Sequence, residues 1–185
     1  LAERNGLATG ILSTARLTHA TPASTYAESA SRGWEDDTSF GSAQSEGCKD
    51  IAAQMIDWAA GDGFEIAMGG GRRHFMTDET FDPEYPDATG RRQDERDLVT
   101  AWTAKSDTHE AIFTGAEFAA TDFDSDTRVL GLFEPSHMQY ELDRPGDAGA
   151  EPSLADLTRA AITRLSRNQQ GFVLMVEGGR IDHAH

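Results

Sequence analysis

Lysine is almost missing from this chain: of 16 cationic side chains only Lys49 and Lys105 are lysine, against 32 acidic residues. The formal net charge of −16 argues against nucleic acid or an anionic membrane as a partner, since both would meet a surface of their own sign. Many carboxylates with hardly any lysine suit a surface kept soluble at high salt, where long-range repulsion is screened; a plain acidic bacterial protein has the same composition. Cysteine is scarce too. The single Cys48 excludes an internal disulfide and a thiolate zinc site, and reads as a structural thiol unless a partner lies outside these residues. No apolar stretch is long enough to span a bilayer, so no membrane insertion is expected, and there is neither an initiator Met nor a signal-like run. Leu1 as the first residue fits a processed or truncated chain, which leaves export open.

What remains is 185 residues, enough for one domain with a real core. Four short apolar runs, Gly10–Ala15, Phe64–Met68, Val129–Phe133 and Phe172–Val176, are bounded by Gly, Pro or polar residues in the manner of buried parallel strands. Helical patterns lie between them. Glu46–Ala60 places Ile51, Met55 and Trp58/Ala59 on one face, Gln93–Ala104 and His109–Ala120 show weaker periodicity, and Ser153–Asn168 is the clearest. In that last segment Ser153 and Asp156 form a capping-box-like start to the stripe Leu154, Leu157, Ala161 and Leu165. Strand–helix alternation predicts a doubly wound α/β layer around a mostly parallel sheet. Residues 77–92 and 139–152, rich in Asp, Pro and Gly, read as rim insertions within this single domain.

The chemistry concentrates in Val176–His185, which sets Glu177, Asp182, His183 and His185 directly after an apolar strand. Gly178 and Gly179 permit a sharp turn with backbone close to a ligand. Glu-Gly-Gly by itself reads as a turn whose acids cap the next helix. The added Asp-His-x-His moves the reading towards a metal site, because carboxylate and neutral imidazole together suit zinc. Gly69-Gly70-Gly71-Arg72-Arg73 lacks the Gly-Lys-Ser/Thr ending of a nucleotide loop and reads as a tight strand exit.

VEGGRIDHAH (176–185), together with STARLTHATPAS (13–24), AMGGGRRHF (67–75) and GLFEPSHMQYELDR (131–144), resembles the alkaline phosphatase family, closer to its animal-type branch than to the enteric bacterial type. The resemblance runs from about Gly6 to His185. It implies a three-layer α/β sandwich, here incomplete, and a phosphomonoesterase with two zinc ions and one magnesium ion acting on small phosphate monoesters. Thr21 matches a hydroxyl ligand of magnesium, Glu177 the magnesium carboxylate and Asp182 a ligand of the first zinc. His19 matches the residue beside the magnesium, His183 the neighbour of the phosphate site, and Arg32 the arginine that grips substrate phosphate. Without the resemblance, Thr21 followed by Pro22 reads as a helix N-cap with Pro at the first helical position. His185 stands one position short of the family's next zinc histidine, which would be residue 186.

The resemblance also implies a peripheral calcium, with Glu84, the carbonyl of Phe133, Glu134 and Glu151 as its ligands; Glu151 replaces the usual aspartate. Three carboxylates and a carbonyl suit calcium, and a solvated acidic rim has the same residues. The family's serine nucleophile, in an Asp-Ser-Ala-like motif, its Asp-His pair and its final histidine are absent from residues 1–185, so the chain reads as the central portion of a longer protein. The implied protein is periplasmic or secreted, a homodimer, with an upstream cysteine that pairs near Cys48. The alternatives are a related phosphodiesterase or sulfatase, and a non-catalytic cation- or phosphate-binding protein.

Overall fold

The computed structural model describes residues 1–39 and 47–184. Five strands, β1 (Ala8–Arg16), β2 (Ile66–Gly70), β3 (His109–Ile112), β4 (Arg128–Leu132) and β5 (Phe172–Glu177), form one sheet in the order β3-β4-β2-β1-β5. Every pairing is parallel. Successive side chains on a strand point to opposite faces, and both faces are apolar here. Ile11, Ala67 and Leu130 enter one core with Ile51, Met55, Phe64 and Trp102; Leu12, Ile66, Met68 and Val129 enter the other with Leu157 and Leu165. The α/β class follows from this two-sided burial, which requires helices on both faces.

Those helices are short, and all but the first carry a side-chain N-cap. They are α1 (Ala20–Ala23), α2 (Ile51–Ile56), α3 (Leu98–Thr103), α4 (Gly115–Ala120) and α5 (Leu154–Leu165). Asp50, Asp97 and Ser153 accept from the backbone N–H groups of Ala53, Thr100 and Asp156, satisfying donors that the first helical turn leaves open. On α5 the expected stripe packs as read: Leu157, Ala161 and Leu165 are fully buried, each leucine contributing about 1.5–3 kcal/mol over exposure. Gly10 lets α5 settle on β1, because a Cβ there would stand 2.8 Å from a Leu165 methyl.

Three local expectations change. The helix expected over His109–Ala120 divides into β3 and α4; Glu110 to Ile112 pair with β4, and Thr114 and Glu117 then close a capping box that starts a new helix at Gly115. Thr21 is not an N-cap. His19 occupies the cap position, leaving Thr21 second and Pro22 third in α1, where a missing N–H is still harmless. The helix expected over 46–60 is only α2: Asp50 sets its start and Ala59 is exposed, while Glu46 lies outside the described residues.

β5 is an edge strand and exposes Phe172, Val173 and Val176. Among the described residues no helix is long and apolar enough to cross a membrane. The glycine run at the end of β2 is structural, as expected. A Cβ on Gly70 would lie 2.1 Å from the Ser136 carbonyl, and Gly71 has a φ of +102°. Both the Gly71 and Arg72 N–H groups then donate to the Glu134 carbonyl at 2.9 Å.

Candidate active site at the carboxyl ends of the strands

Because all strands are parallel, the segments leaving β1, β2, β4 and β5 emerge at one end of the sheet, where ligand sites of open α/β sheets form. Ser13 and Glu177 are register partners across β1 and β5, and the Ser13 hydroxyl donates to Glu177 Oε2 at 2.6 Å. The chain then turns through Gly178 into a 3-10 helix, Gly179–Ala184, whose Arg180 N–H donates to Thr14 Oγ1 at 3.1 Å. Arg180 lies over the Tyr140 ring at 3.7 Å, and Tyr140 donates its hydroxyl to the His183 carbonyl at 2.7 Å. These contacts dock the end of β5 against the loop that follows β4.

That docking gathers three half-buried imidazoles, His19 after β1, His137 after β4 and His183 after β5, whose ligand atoms lie within 4.8 Å of one another. The His137 ring is 4.4 Å from that of His183 and 5.3 Å from that of His19, centroid to centroid. Arg32 meets His19 Nε2 at 2.8 Å. Burial, then Arg16 and Arg32, lowers the His19 pKa; burial, then Arg16 and the other two histidines, pushes His137 down to about 3. Both rings are therefore neutral at physiological pH. Thr21 is exposed on α1, and Asp182 is exposed on the 3-10 helix. Neither Glu177 nor Asp182 pairs with a cationic side chain among the described residues. His185 lies outside the described residues.

Beneath the histidines runs a charged network. Arg16 grips Glu35 through two bonds of 2.7 Å, and Thr18 adds a third at 2.6 Å. Burial alone would raise Glu35, yet Arg16, His74 and Thr18 outweigh it and bring its pKa to about 2. His74 Nδ1 meets the fully buried Asp36 at 2.6 Å. A carboxylate held this way remains charged and anchors the arginine above it.

A second cluster forms at the rim, where residues 77–92 and 139–152 meet. Carboxylate oxygens of Glu84, Glu134 and Asp147 come within 4.8 Å of one another. Burial, with its acidic neighbours adding to it, raises Glu134 to about 7 and Glu151 to about 8. Glu151 accepts from the Gln139 N–H at 2.8 Å and keeps its Oε2 buried without a partner. Phe133, fully buried, adjoins Glu134 in sequence. Asp147, not Glu151, completes the converging trio.

Sequence reasoning singled out Arg32, His19 and His183, which the fold brings together, and missed His137, Arg16 and Arg180. The signal for His137 and Arg180 was available, since both lie inside segments already singled out (GLFEPSHMQYELDR and VEGGRIDHAH). Asp147 was hidden among the other acids of its loop.

The family model for alkaline phosphatase matches residues 1–185, and the chain belongs to that family. A membrane-bound alkaline phosphatase of Bombyx mori is 42% identical over 98% of this chain and 33% of its own length. The alkaline phosphatase of Thermus thermophilus superposes with a TM-score of 0.73 at 34% identity, covering 99% of this chain and 32% of its own. A histidine-to-aspartate mutant of the TAB5 alkaline phosphatase, solved with Mg bound in its M3 site, superposes with a TM-score of 0.68 at 25% identity, over 99% of this chain and 42% of its own. The chain thus spans about a third of the length of the curated relatives it matches.

Proposed function

We propose that the protein hydrolyses phosphate monoesters with the help of divalent metal ions. The observation that carries this reading is the meeting of Arg32, His19, His183 and the β5 terminus bearing Glu177 at one end of the sheet in a chain of the alkaline phosphatase family. In a protein of net charge −16, Arg16, Arg32 and Arg180 surround that point, and dense positive charge favours a dianionic monoester over a diester or sulfate ester.

Arg32 offers a planar fork of donors to two phosphate oxygens and offsets charge that develops in the transition state. His183 stands beside His19 at the same end of the sheet, and His19 holds Arg32. The phosphoryl group passes to a serine as the alcohol leaves, and then from the serine to water; no residue of 1–185 is assigned as that serine. Glu177 and Thr21 would hold magnesium, and Asp182 would hold one zinc. The fit rests on donor chemistry: the two carboxylates have no cationic partner among the described residues, and oxygen donors suit magnesium while carboxylate with imidazole suits zinc. When bound, these ions supply Lewis-acid charge at the phosphate oxygens.

At the rim, Glu84, Glu134, Asp147 and Glu151, with the Phe133 carbonyl, would hold calcium. Glu134 and Glu151, buried, crowded by other acids and raised well above their ordinary range, have no cationic side chain against them among the described residues, and Glu151 keeps an orphaned oxygen. The protein is periplasmic or secreted, works as a homodimer, and tolerates high salt through its acidic surface. The residues 1–185 form part of a single α/β domain with rim insertions at 77–92 and 139–152.

The test is hydrolysis of an aryl phosphate at alkaline pH by the intact protein, expressed from its complete coding sequence. Exhaustive chelation is expected to abolish turnover and zinc with magnesium to restore it. Full activity in the chelated protein would remove the metal-dependent reading.

A further inference from the structure

Three imidazoles from three strand exits, with ligand atoms converging within 4.8 Å, have the spacing of a cation site. The arginines around them argue otherwise. His19 Nε2 faces the Arg32 guanidinium at 2.8 Å, His137 Nε2 that of Arg16 at 2.6 Å, and His183 Nδ1 that of Arg180 at 3.3 Å. A guanidinium only donates, so each contact draws on a ring lone pair. His137 is engaged twice: the Arg16 backbone N–H also donates to its Nδ1 at 3.2 Å. A neutral imidazole has one lone pair, so these two contacts already compete for it and none remains for a metal ion. A cation at this point would also sit among three charges of its own sign.

We infer that His137 is a positioning residue of the phosphate site, holding the ring of His19 and through it Arg32, and is not the ligand of an additional metal ion. The inference rests on the phosphatase reading above.

The mechanical path is short. Glu35 fixes Arg16 through two bonds, and Arg16 faces both nitrogens of His137, its guanidinium at one and its backbone N–H at the other, with the ring accepting from one of them. His137 then stands edge-on to His19 and tilted against His183, so both rings rest on it. Arg32 is exposed, and His19 is its one hydrogen-bonding partner among the described residues. Long, exposed arginines sample many rotamers unless something holds them. The orientation of the phosphate-gripping fork therefore depends on a ring whose own support is His137.

The experiment uses the intact protein and its His137→Ala and His137→Asn variants. Asparagine keeps an acceptor for the Arg16 backbone but lacks the ring. Inorganic phosphate affinity is measured by calorimetry, kcat and KM with an aryl phosphate, zinc and magnesium per chain by elemental analysis, and folding by thermal melts. Both variants are expected to keep their fold and metal content and to bind phosphate about tenfold more weakly, with kcat/KM falling in step. Unchanged phosphate affinity in His137→Ala overturns the inference. So does wild-type affinity in His137→Asn, which would leave the ring without a role. Loss of one metal equivalent in either variant makes His137 a ligand and overturns it as well. Should both variants fail to fold, Glu35→Gln loosens Arg16 from the far end. It is expected to weaken phosphate binding about threefold at constant metal content, and unchanged affinity there counts against the inference. A wild-type protein that binds phosphate but hydrolyses no aryl phosphate defeats the phosphatase reading alone, because the calorimetric comparison does not depend on turnover.

Discussion

The Arg72 guanidinium meets the Asp82 carboxylate through two hydrogen bonds, of 2.8 and 2.7 Å, with both side chains sealed from water. The same guanidinium donates to the Leu132 carbonyl at the end of β4 and reaches Glu84 at 3.2 Å. One buried cation thus ties the insertion at 77–92 to the sheet. Replacing Asp82 by Ala removes the two-bond partner of that cation and leaves it only the longer contact with Glu84, and is expected to cost about 3–5 kcal/mol, read as a lowered urea midpoint at neutral pH. Burial would raise the Asp82 pKa, but Arg72 outweighs it and holds the pKa low. The pair's contribution is therefore complete above the unfolded carboxylate range and fades as pH falls through the lower folded value. A wild-type midpoint for Asp82→Ala would show that the pair contributes nothing.

Glu3 behaves in the opposite sense. Its carboxylate is buried, takes the Thr9 hydroxyl on one oxygen and leaves the other without a partner. Burial first, then Glu65 and Asp62, raises its pKa to about 7. Between the ordinary glutamate value of 4.5 and that value the folded chain holds the proton more tightly, so stability falls as pH rises through this window. Glu3→Gln is expected to remove the fall and to be more stable than wild type at pH 8 by about 1–3 kcal/mol. Denaturant titrations at acidic and alkaline pH check this, and an equal pH slope in both proteins refutes it.

Arg32→Ala is expected to weaken inorganic phosphate binding by about tenfold to a hundredfold while leaving the melting temperature unchanged, since the side chain is exposed. Arg32→Lys should recover only part of the affinity, because a point charge cannot reproduce the planar fork. Equal competitive inhibition by phosphate in wild type and Arg32→Ala removes this arginine from the site.

Calcium is expected to raise the melting temperature of the chelated protein by an amount equivalent to about 2.7 kcal/mol at a hundredfold excess over its dissociation constant. Glu134→Gln should abolish that gain and leave the response to zinc intact. A calcium effect that survives this substitution places the ion elsewhere.

Much of this architecture was legible because buried parallel strands are short apolar runs with turn residues at both ends. Four of five strands follow that pattern. β3 escaped it because His109 and Glu110 interrupt the apolar character, and its pairing with β4 decided its conformation. Arg32, His19 and His183 could be picked out through the family resemblance of the segments that carry them. Arg16 and His137 lie in segments of the same resemblance, but nothing along the chain pairs them, since their contact joins residues 121 positions apart. The same holds for Asp147, which differs from neighbouring acids only in where its loop folds back.

The pairing of β1 with β5 bears on how the molecule comes into being. Ser13 and Glu177 touch although 164 positions separate them, so the pocket cannot exist until nearly the whole segment has been synthesised. Until then one side of β1 stays open while three later strands gather on the other. Such long-range parallel closure is slow and exposes sticky edges on the way. A chain stalled before β5 docks therefore lacks the Ser13–Glu177 contact and leaves an edge of β1 open to self-association.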